Sequence, residues 1–210
     1  MTPRAVLDRG LGELALAVPA GAGEKLMSYL ELLAKWNKTY NLTAIRDPLQ
    51  AVSHHLLDSL AVLRELSDCR GALADVGSGA GLPGIPIAIA EPARPVTLND
   101  ASEKKGAFLR QAVIELGLGN ATVHVGRVEE WRPAERFAVV VSRGFASLAD
   151  FLAGCRHLVA PSGVLAAMKG VYPSDELAQI AVDYDCHEVR RLQVPFLKAE
   201  RHLVLCRIGS

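Results

Sequence analysis

Apolar residues in the first third of the chain recur at intervals of three and four. From Gly21 to Tyr40 the positions Leu26, Met27, Leu30, Leu33 and Trp36 share one helical face, and a second stripe runs from His54 through Leu56, Leu57, Leu60, Val62 and Leu63 to Leu66. Between them, Pro48 disfavours helix at Asp47 and is suited to open the next helix itself. The first seventy residues are therefore predicted to be helical. After Arg70 and Gly71 the pattern changes to short apolar runs at Ala72 to Val76, Val96 to Leu98, Ala121 to Val125, Phe137 to Val141 and Gly163 to Met168. Helix-length segments separate them, at Leu82 to Ala90, Ser102 to Leu116, Ser147 to Leu158 and Ser174 to Val182. Strands alternating with helices predict βαβ crossovers and a parallel sheet. The tail differs, because Cys186 to Val194 and Arg201 to Ile208 are joined by a loop too short for a parallel crossover, which predicts an antiparallel hairpin. We expect an α/β chain with a helical extension over 1–70 and a ligand-binding domain over 71–210, packed as one compact unit.

The first predicted strand ends at Asp75-Val76 and runs into Gly77-Ser78-Gly79-Ala80-Gly81, followed by Leu82-Pro83-Gly84. Glycines there allow positive φ and let a ligand lie against bare main chain at the carboxyl end of a strand. The same pattern also suits a ligand-free turn closing a βα unit. Asp75, two places before the first glycine, can accept from a cationic amino group and would do nothing for a pyrophosphate. That favours S-adenosylmethionine over NAD. Asp100 at the end of the second strand suits ribose hydroxyls in either case, or the N-cap of the following helix. After the third strand, Val128 and Glu129 stand where an adenine ring would lie; by position alone, a solvated helical first turn that favours acids such as Glu129 and Glu130 is the better reading. A parallel sheet closed by an antiparallel hairpin resembles the Rossmann-like fold of class I S-adenosylmethionine methyltransferases.

Bulk properties narrow this picture little. The chain has 210 residues, 50% of them hydrophobic and only 5% aromatic, which suits helix-covered parallel strands better than an aromatic-rich sandwich. Formal net charge is zero, so a polyanion would have to meet a local basic patch. Cys69, Cys155, Cys186 and Cys206 form no CxxC pair, and we expect reduced thiols, with no metal site. Asp8, Arg9 and Glu13 interrupt the opening apolar stretch, which fails as a secretory signal. No uncharged run reaches the roughly 20 apolar residues of a membrane span. A cytoplasmic protein without membrane contact, acting as a monomer, is expected.

With those positions fixed, the chain resembles the family of glucose-inhibited division protein B, the bacterial 16S ribosomal RNA guanine-N7 methyltransferases. The likeness lies in Asn41-Leu42-Thr43, His55-Leu56-Leu57-Asp58-Ser59-Leu60, Asp75 through Pro86, Phe108-Leu109-Arg110, Val141-Ser142-Arg143, Lys169-Gly170 and Glu200-Arg201-His202-Leu203-Val204. The extension Leu82-Pro83-Gly84-Ile85-Pro86 is far more specific than the glycines alone. The resemblance implies methyl transfer to N7 of one guanine in 16S ribosomal RNA, free or within the small ribosomal subunit or its precursor. It places the cofactor against Gly77, Leu82, Val128, Glu129 and Arg143, with Gly79 and Gly81 completing the loop. Family members often carry Leu-Leu-Asp-Ser at the end of the second strand; here Leu98-Asn99-Asp100-Ala101 stands there.

Guanine N7 has a free lone pair and loses no proton on methylation, so no general base is required and the work left to the protein is orientation. Arg143 offers a planar fork for the cofactor carboxylate or guanine O6. Its bland alternative is a surface salt bridge. Phe145 is placed either to stack on the target base or to pack in the core. Asn41, Lys104, Lys105, Lys169 and Arg201 are the candidates for RNA contact, each against the alternative of an ordinary solvated charge or turn residue. A methyltransferase for another substrate, or a nucleoside-binding module without catalysis, would share most of these features.

Overall fold

The computed structural model describes residues 1–209. Its helical N-terminal part begins at α1, Pro3–Glu13, where Thr2 caps the first turn by accepting from the Ala5 amide and Pro3 occupies the first helical position. Sequence periodicity did not separate this helix from the interrupted apolar opening. α2 spans Ala22–Tyr40 and ends at Asn41, which takes a left-handed φ of 50°. The next helical run starts at α3, Pro48–Ala51, with Asp47 capping the Gln50 amide at 2.8 Å. It continues through a π turn at Val52–Leu57 into α4, Asp58–Leu60, and α5, Val62–Glu65. The run thus opens at Pro48, six residues before the apolar stripe begins at His54.

The sheet strands are β1 Leu73–Val76, β2 Val96–Asp100, β3 Ala121–Val125, β4 Phe137–Arg143, β5 Val159–Lys169, β6 Tyr184–Arg191 and β7 His202–Ile208. They form one seven-stranded sheet in the order β3-β2-β1-β4-β5-β7-β6. β1 to β5 pair in parallel, and β7 pairs antiparallel with both β5 and β6. The crossover helices are α6 Gly84–Ala90, α7 Glu103–Glu115 and α8 Leu148–Cys155. The reversal of strand order beside β1 opens a crevice at the carboxyl ends of β1 and β4, the place where open α/β sheets hold ligands.

Alternate side chains enter two layers. Leu73, Leu98, Val139 and Val141 join the layer that also takes Leu26, Tyr29 and Leu56 from the N-terminal helices and Phe108 from α7. Ala74, Val76 and Val140 face Leu148, Phe151 and Leu152 of α8. The N-terminal helices therefore pack on the same sheet face as α6 and α7, and Trp36 of α2 meets Phe108 edge-on at 5.6 Å.

Two expectations about the tail need correction. The helix expected over Ser174 to Val182 is a single turn, α9 Ser174–Leu177: beyond it Ala178, Gln179, Ala181 and Val182 are exposed, and Ile180 alone packs on the core, too narrow an apolar face to carry further turns. Cys186 and Cys206 were expected to be reduced, yet their sulfurs are bonded. The hairpin brings residues 20 apart in sequence to facing positions with Cα atoms 4.2 Å apart, a proximity that spacing along the chain conceals. Cys69 and Cys155 are free, and burial pushes the Cys155 thiol up to about 12.

Candidate active site

The glycine loop is fastened to strand ends on both sides of β1. The Ser78 amide donates to the Asn99 carbonyl of β2 at 2.9 Å, the Ser78 hydroxyl to the Asp75 carbonyl at 2.9 Å, and the Ser142 hydroxyl of β4 to the Val76 carbonyl at 2.9 Å. Gly77 and Gly79 hold φ of 68° and 58°, and no heavy atom lies within 4 Å of where a Gly77 Cβ would stand. Bare backbone thus faces open space, as a ligand lying on the main chain requires. The loop is also held from behind: the fully buried Tyr29 of α2 donates its hydroxyl to the Ala80 carbonyl at 2.7 Å. Gly81 and Leu82 begin the turn into α6, their amides donating to the Ser78 carbonyl, and the Leu82 side chain is buried in the helix-side layer.

Asp75 lies under this loop with no solvent exposure. Its Oδ2 accepts from the Gly84 amide at 2.9 Å, while Oδ1 has no hydrogen-bond partner among the described residues. Burial raises its carboxyl to about 6, against the opposing pull of the Gly84 N–H and the Arg143 charge. A buried acceptor with nothing to accept from is costly, and a cationic donor would relieve it. Gly84 is required here. A Cβ on it would stand 2.3 Å from Leu98 Cδ2 and 2.7 Å from Asp75 Oδ2.

Asp100 reaches the loop from β2. Its Oδ2 accepts from the Gly79 amide at 2.9 Å and its Oδ1 from the Ser102 amide at 2.9 Å, with Lys105 Nζ 3.6 Å away. The N-cap of α7 is Ser102. The Asp100 carbonyl accepts from Gly126, which brings the turn holding Val128 and Glu129 alongside. Val128 is buried against the α8 layer, and the half-exposed Glu129 side chain has Arg127 Nε 3.6 Å away. Asn99, which stands where the family often carries a leucine, binds the Gly126 carbonyl at 3.0 Å and His124 Nδ1 at 2.9 Å, tying the ends of β2 and β3 together.

Arg143 ends β4. Its Nη1 donates to the His54 carbonyl at 2.9 Å and to Asp58 Oδ2 at 3.0 Å, while Asp58 Oδ1 accepts from Arg201 Nε at 2.8 Å. Nε and Nη2 of Arg143 make no hydrogen bond among the described residues. The ion pair foreseen as the bland alternative therefore exists, but against a carboxylate with only 2% of its side chain exposed. Asp58 was missed by sequence reasoning as a site residue. Its signal was a lone acid inside the apolar run Leu56-Leu57-Asp58-Ser59-Leu60, since buried carboxylates are almost always paired.

The candidate RNA-contacting residues divide. Lys104 is exposed on the first turn of α7, and Asn41 is exposed at the end of α2. Lys169 is instead covered and held by both oxygens of Glu176 at 2.8 and 2.9 Å, because α9 turns back over the end of β5. Phe145 is half-buried with its ring 5.6 Å from Phe151, so packing against α8 occupies it.

A family model described as rRNA small subunit methyltransferase G, the GidB family, matches residues 22–204. The chain belongs to the GidB family. Among GidB relatives, the protein named ribosomal RNA small subunit methyltransferase G of Laribacter hongkongensis is 52% identical over 198 residues, covering 94% of this chain and 95% of that one. The protein of the same name from Neisseria meningitidis serogroup B is 50% identical, covering 95% of each chain. The fold is shared more widely than the family. The DhpI–SAH complex superposes with a TM-score of 0.57 at 18% identity, covering 89% of this chain and 97% of that one. The glycopeptide N-methyltransferase MtfA gives 0.60 at 12% identity, covering 73% of this chain and 96% of its own.

Proposed function

We propose that this GidB-family chain transfers a methyl group from S-adenosylmethionine to N7 of a guanine in small-subunit ribosomal RNA. What carries the reading is the pairing of near-full-length identity of about half to proteins named for that activity with a loop whose open glycines lie above a buried, unsatisfied carboxylate. S-adenosylmethionine supplies, when bound, an activated methyl group on a sulfonium. Asp75 Oδ1 accepts from the cofactor's amino group, and the main chain at Gly77, Gly79 and Gly81 lies against its amino-acid part. Asp100 keeps lone pairs for the ribose hydroxyls, and the turn at Val128 and Glu129 borders the adenine. Arg143 presents Nε and Nη2 to the carboxylate. Using Arg143 on guanine N7 would occupy the nucleophile's lone pair, so the cofactor side is the productive assignment. No side chain is asked to remove a proton. The residues orient two reactants and leave the N7 lone pair free.

The test is incubation of purified protein with methyl-labelled S-adenosylmethionine and either naked 16S RNA or small subunits from a strain lacking the enzyme. Label at a single guanine, mapped by N7-specific cleavage and reverse transcription, is expected. Absence of label on both substrates would overturn the proposal.

A further inference from the structure

We propose that Asp58 is a positioning residue for the reaction, holding Arg143 at the cofactor side and Arg201 at the rim with a single carboxylate. The inference rests on the reading of Arg143 as a cofactor ligand. Three segments far apart in sequence meet here: the helical run after Pro48, the end of β4, and the residue before β7. Strand register explains the meeting. Arg143 pairs with Met168 of β5, and Met168 pairs with Leu203 of β7, so Arg201 comes to the same sheet end two residues upstream.

The geometry is that of a clamp. Both Asp58 oxygens are used, one per arginine, and the His54 carbonyl gives Arg143 Nη1 a second acceptor on the same helical run. The arginine side chains keep 25% and 22% of their surface exposed, so each turns its inner edge to Asp58 and an outer edge to the rim. Two guanidinium groups this close repel unless a shared anion lies between them, and arginine side chains lose substantial rotamer entropy when fixed. One buried carboxylate addresses both. It neutralises one of the two charges and leaves a net positive charge, pre-oriented, for the anionic groups of the cofactor and RNA.

The decisive experiment is a pair of double-mutant cycles on the full chain: D58N, R143A, R201A and the doubles D58N/R143A and D58N/R201A. S-adenosylhomocysteine affinity is measured by calorimetry and 16S RNA affinity by filter binding, on variants whose folding is verified by circular dichroism. D58N should weaken S-adenosylhomocysteine binding by about tenfold or more, as loss of a charge-assisted bond implies. It should add little to R143A for the cofactor and little to R201A for RNA, since Asp58 acts through those residues. A merely structural Asp58 would lower the melting temperature and leave the affinity of the folded protein unchanged, and that result overturns the proposal, as do additive cycles. If R143A itself binds S-adenosylhomocysteine like the wild type, the reading of Arg143 falls and this proposal with it. If R143A weakens binding and D58N does not, Asp58 alone is refuted. Should D58N fail to fold, nitrogen-15 arginine spectra of the wild type decide, with signals assigned by R143A and R201A. Clamped side chains give resolved, slowly rotating guanidinium signals, and averaged signals from both would overturn the clamp.

Discussion

The two ends of the site are made of different material. The glycine end is mainly main chain: Asp75, Ser78, Gly79 and Gly84 lie within ten consecutive positions, and the more distant Tyr29, Asn99, Asp100 and Ser142 bind backbone groups of the loop. The arginine end is mainly side chain, with Asp58, Arg143 and Arg201 brought together from across the chain. The first end has open space above Gly77 and an unmet acceptor below it, which the proposed cofactor would fill. The second already has its carboxylate saturated, so it is organised before any ligand arrives. One end is built to be filled, the other to aim.

The sharpest way to break this contrast lies within the glycine end. In G84A the added methyl would collide with Leu98 and Asp75, so overpacking and loss of the Gly84 to Asp75 bond together should cost about 3 kcal/mol of stability. In G77A no neighbour is struck, and the cost should be only the roughly 1 to 2 kcal/mol of an alanine held at positive φ. Both should lose S-adenosylhomocysteine affinity. Urea melts and calorimetry measure the two quantities separately, and a G84A protein as stable as G77A would show that Asp75 and Gly84 are not closely packed.

Burial shifts a carboxyl at the glycine end and an imidazole at the arginine end, in opposite directions. Asp75 is raised to about 6 by burial; His55, beside the Arg143 anchor at His54, is lowered to about 4 by burial and by the Arg143 charge. A folded-state pKa raised above the unfolded value gives Asp75 a stabilising contribution that is full below about pH 4 and lost as pH rises through 6. The lowered His55 value works the other way, its contribution being full above about pH 6.5 and lost as pH falls towards 4. Between pH 4 and 6 the slopes oppose, so the wild-type melting temperature should change little there. D75N should become less stable as pH falls through this window, and H55Q more stable. With an ammonium beside Asp75 the ionised form is favoured, so S-adenosylhomocysteine affinity should rise by up to about tenfold per pH unit below 6 and level off above it. A D75N protein that keeps this rise would remove Asp75 from the cofactor site.

How much of each end was legible in the sequence follows from the same difference. Asp75, the glycines and Asp100 could be placed because a strand, a turn and a helix start are encoded locally, and the sheet with its antiparallel tail followed from run lengths and loop lengths. Arg143 could be named but not its partners. Nothing in local periodicity says that residue 58 meets residue 201, because that depends on β7 inserting beside β5 and on the N-terminal helices packing over the sheet end. The pairing of Lys169 with Glu176 and the bond between Cys186 and Cys206 were hidden for the same reason, being set by how α9 and the hairpin fold back. Helix α1 fell within the helical extension expected over 1–70, but its own bounds stayed hidden because its apolar positions, Val6, Leu7 and Leu11, are too few to stand out among the charges around them.

Tyr29 offers the finest test, because it ties the glycine end to the N-terminal helices by one hydrogen bond in a fully buried setting. Y29F keeps the ring and its packing and removes only the hydroxyl, leaving the Ala80 carbonyl without this donor. The expected loss is about 1 to 2 kcal/mol of stability. The loop itself should hold, because Ser78 and Ser142 fasten it to the strands independently of α2. S-adenosylhomocysteine affinity should therefore change by less than about threefold, well under one tenfold step of 1.4 kcal/mol. If Y29F instead abolished binding while remaining folded, the shape of the glycine end would depend on the packing of the N-terminal helices, as that of the arginine end does. The contrast between a local end and an assembled end would then have to be given up.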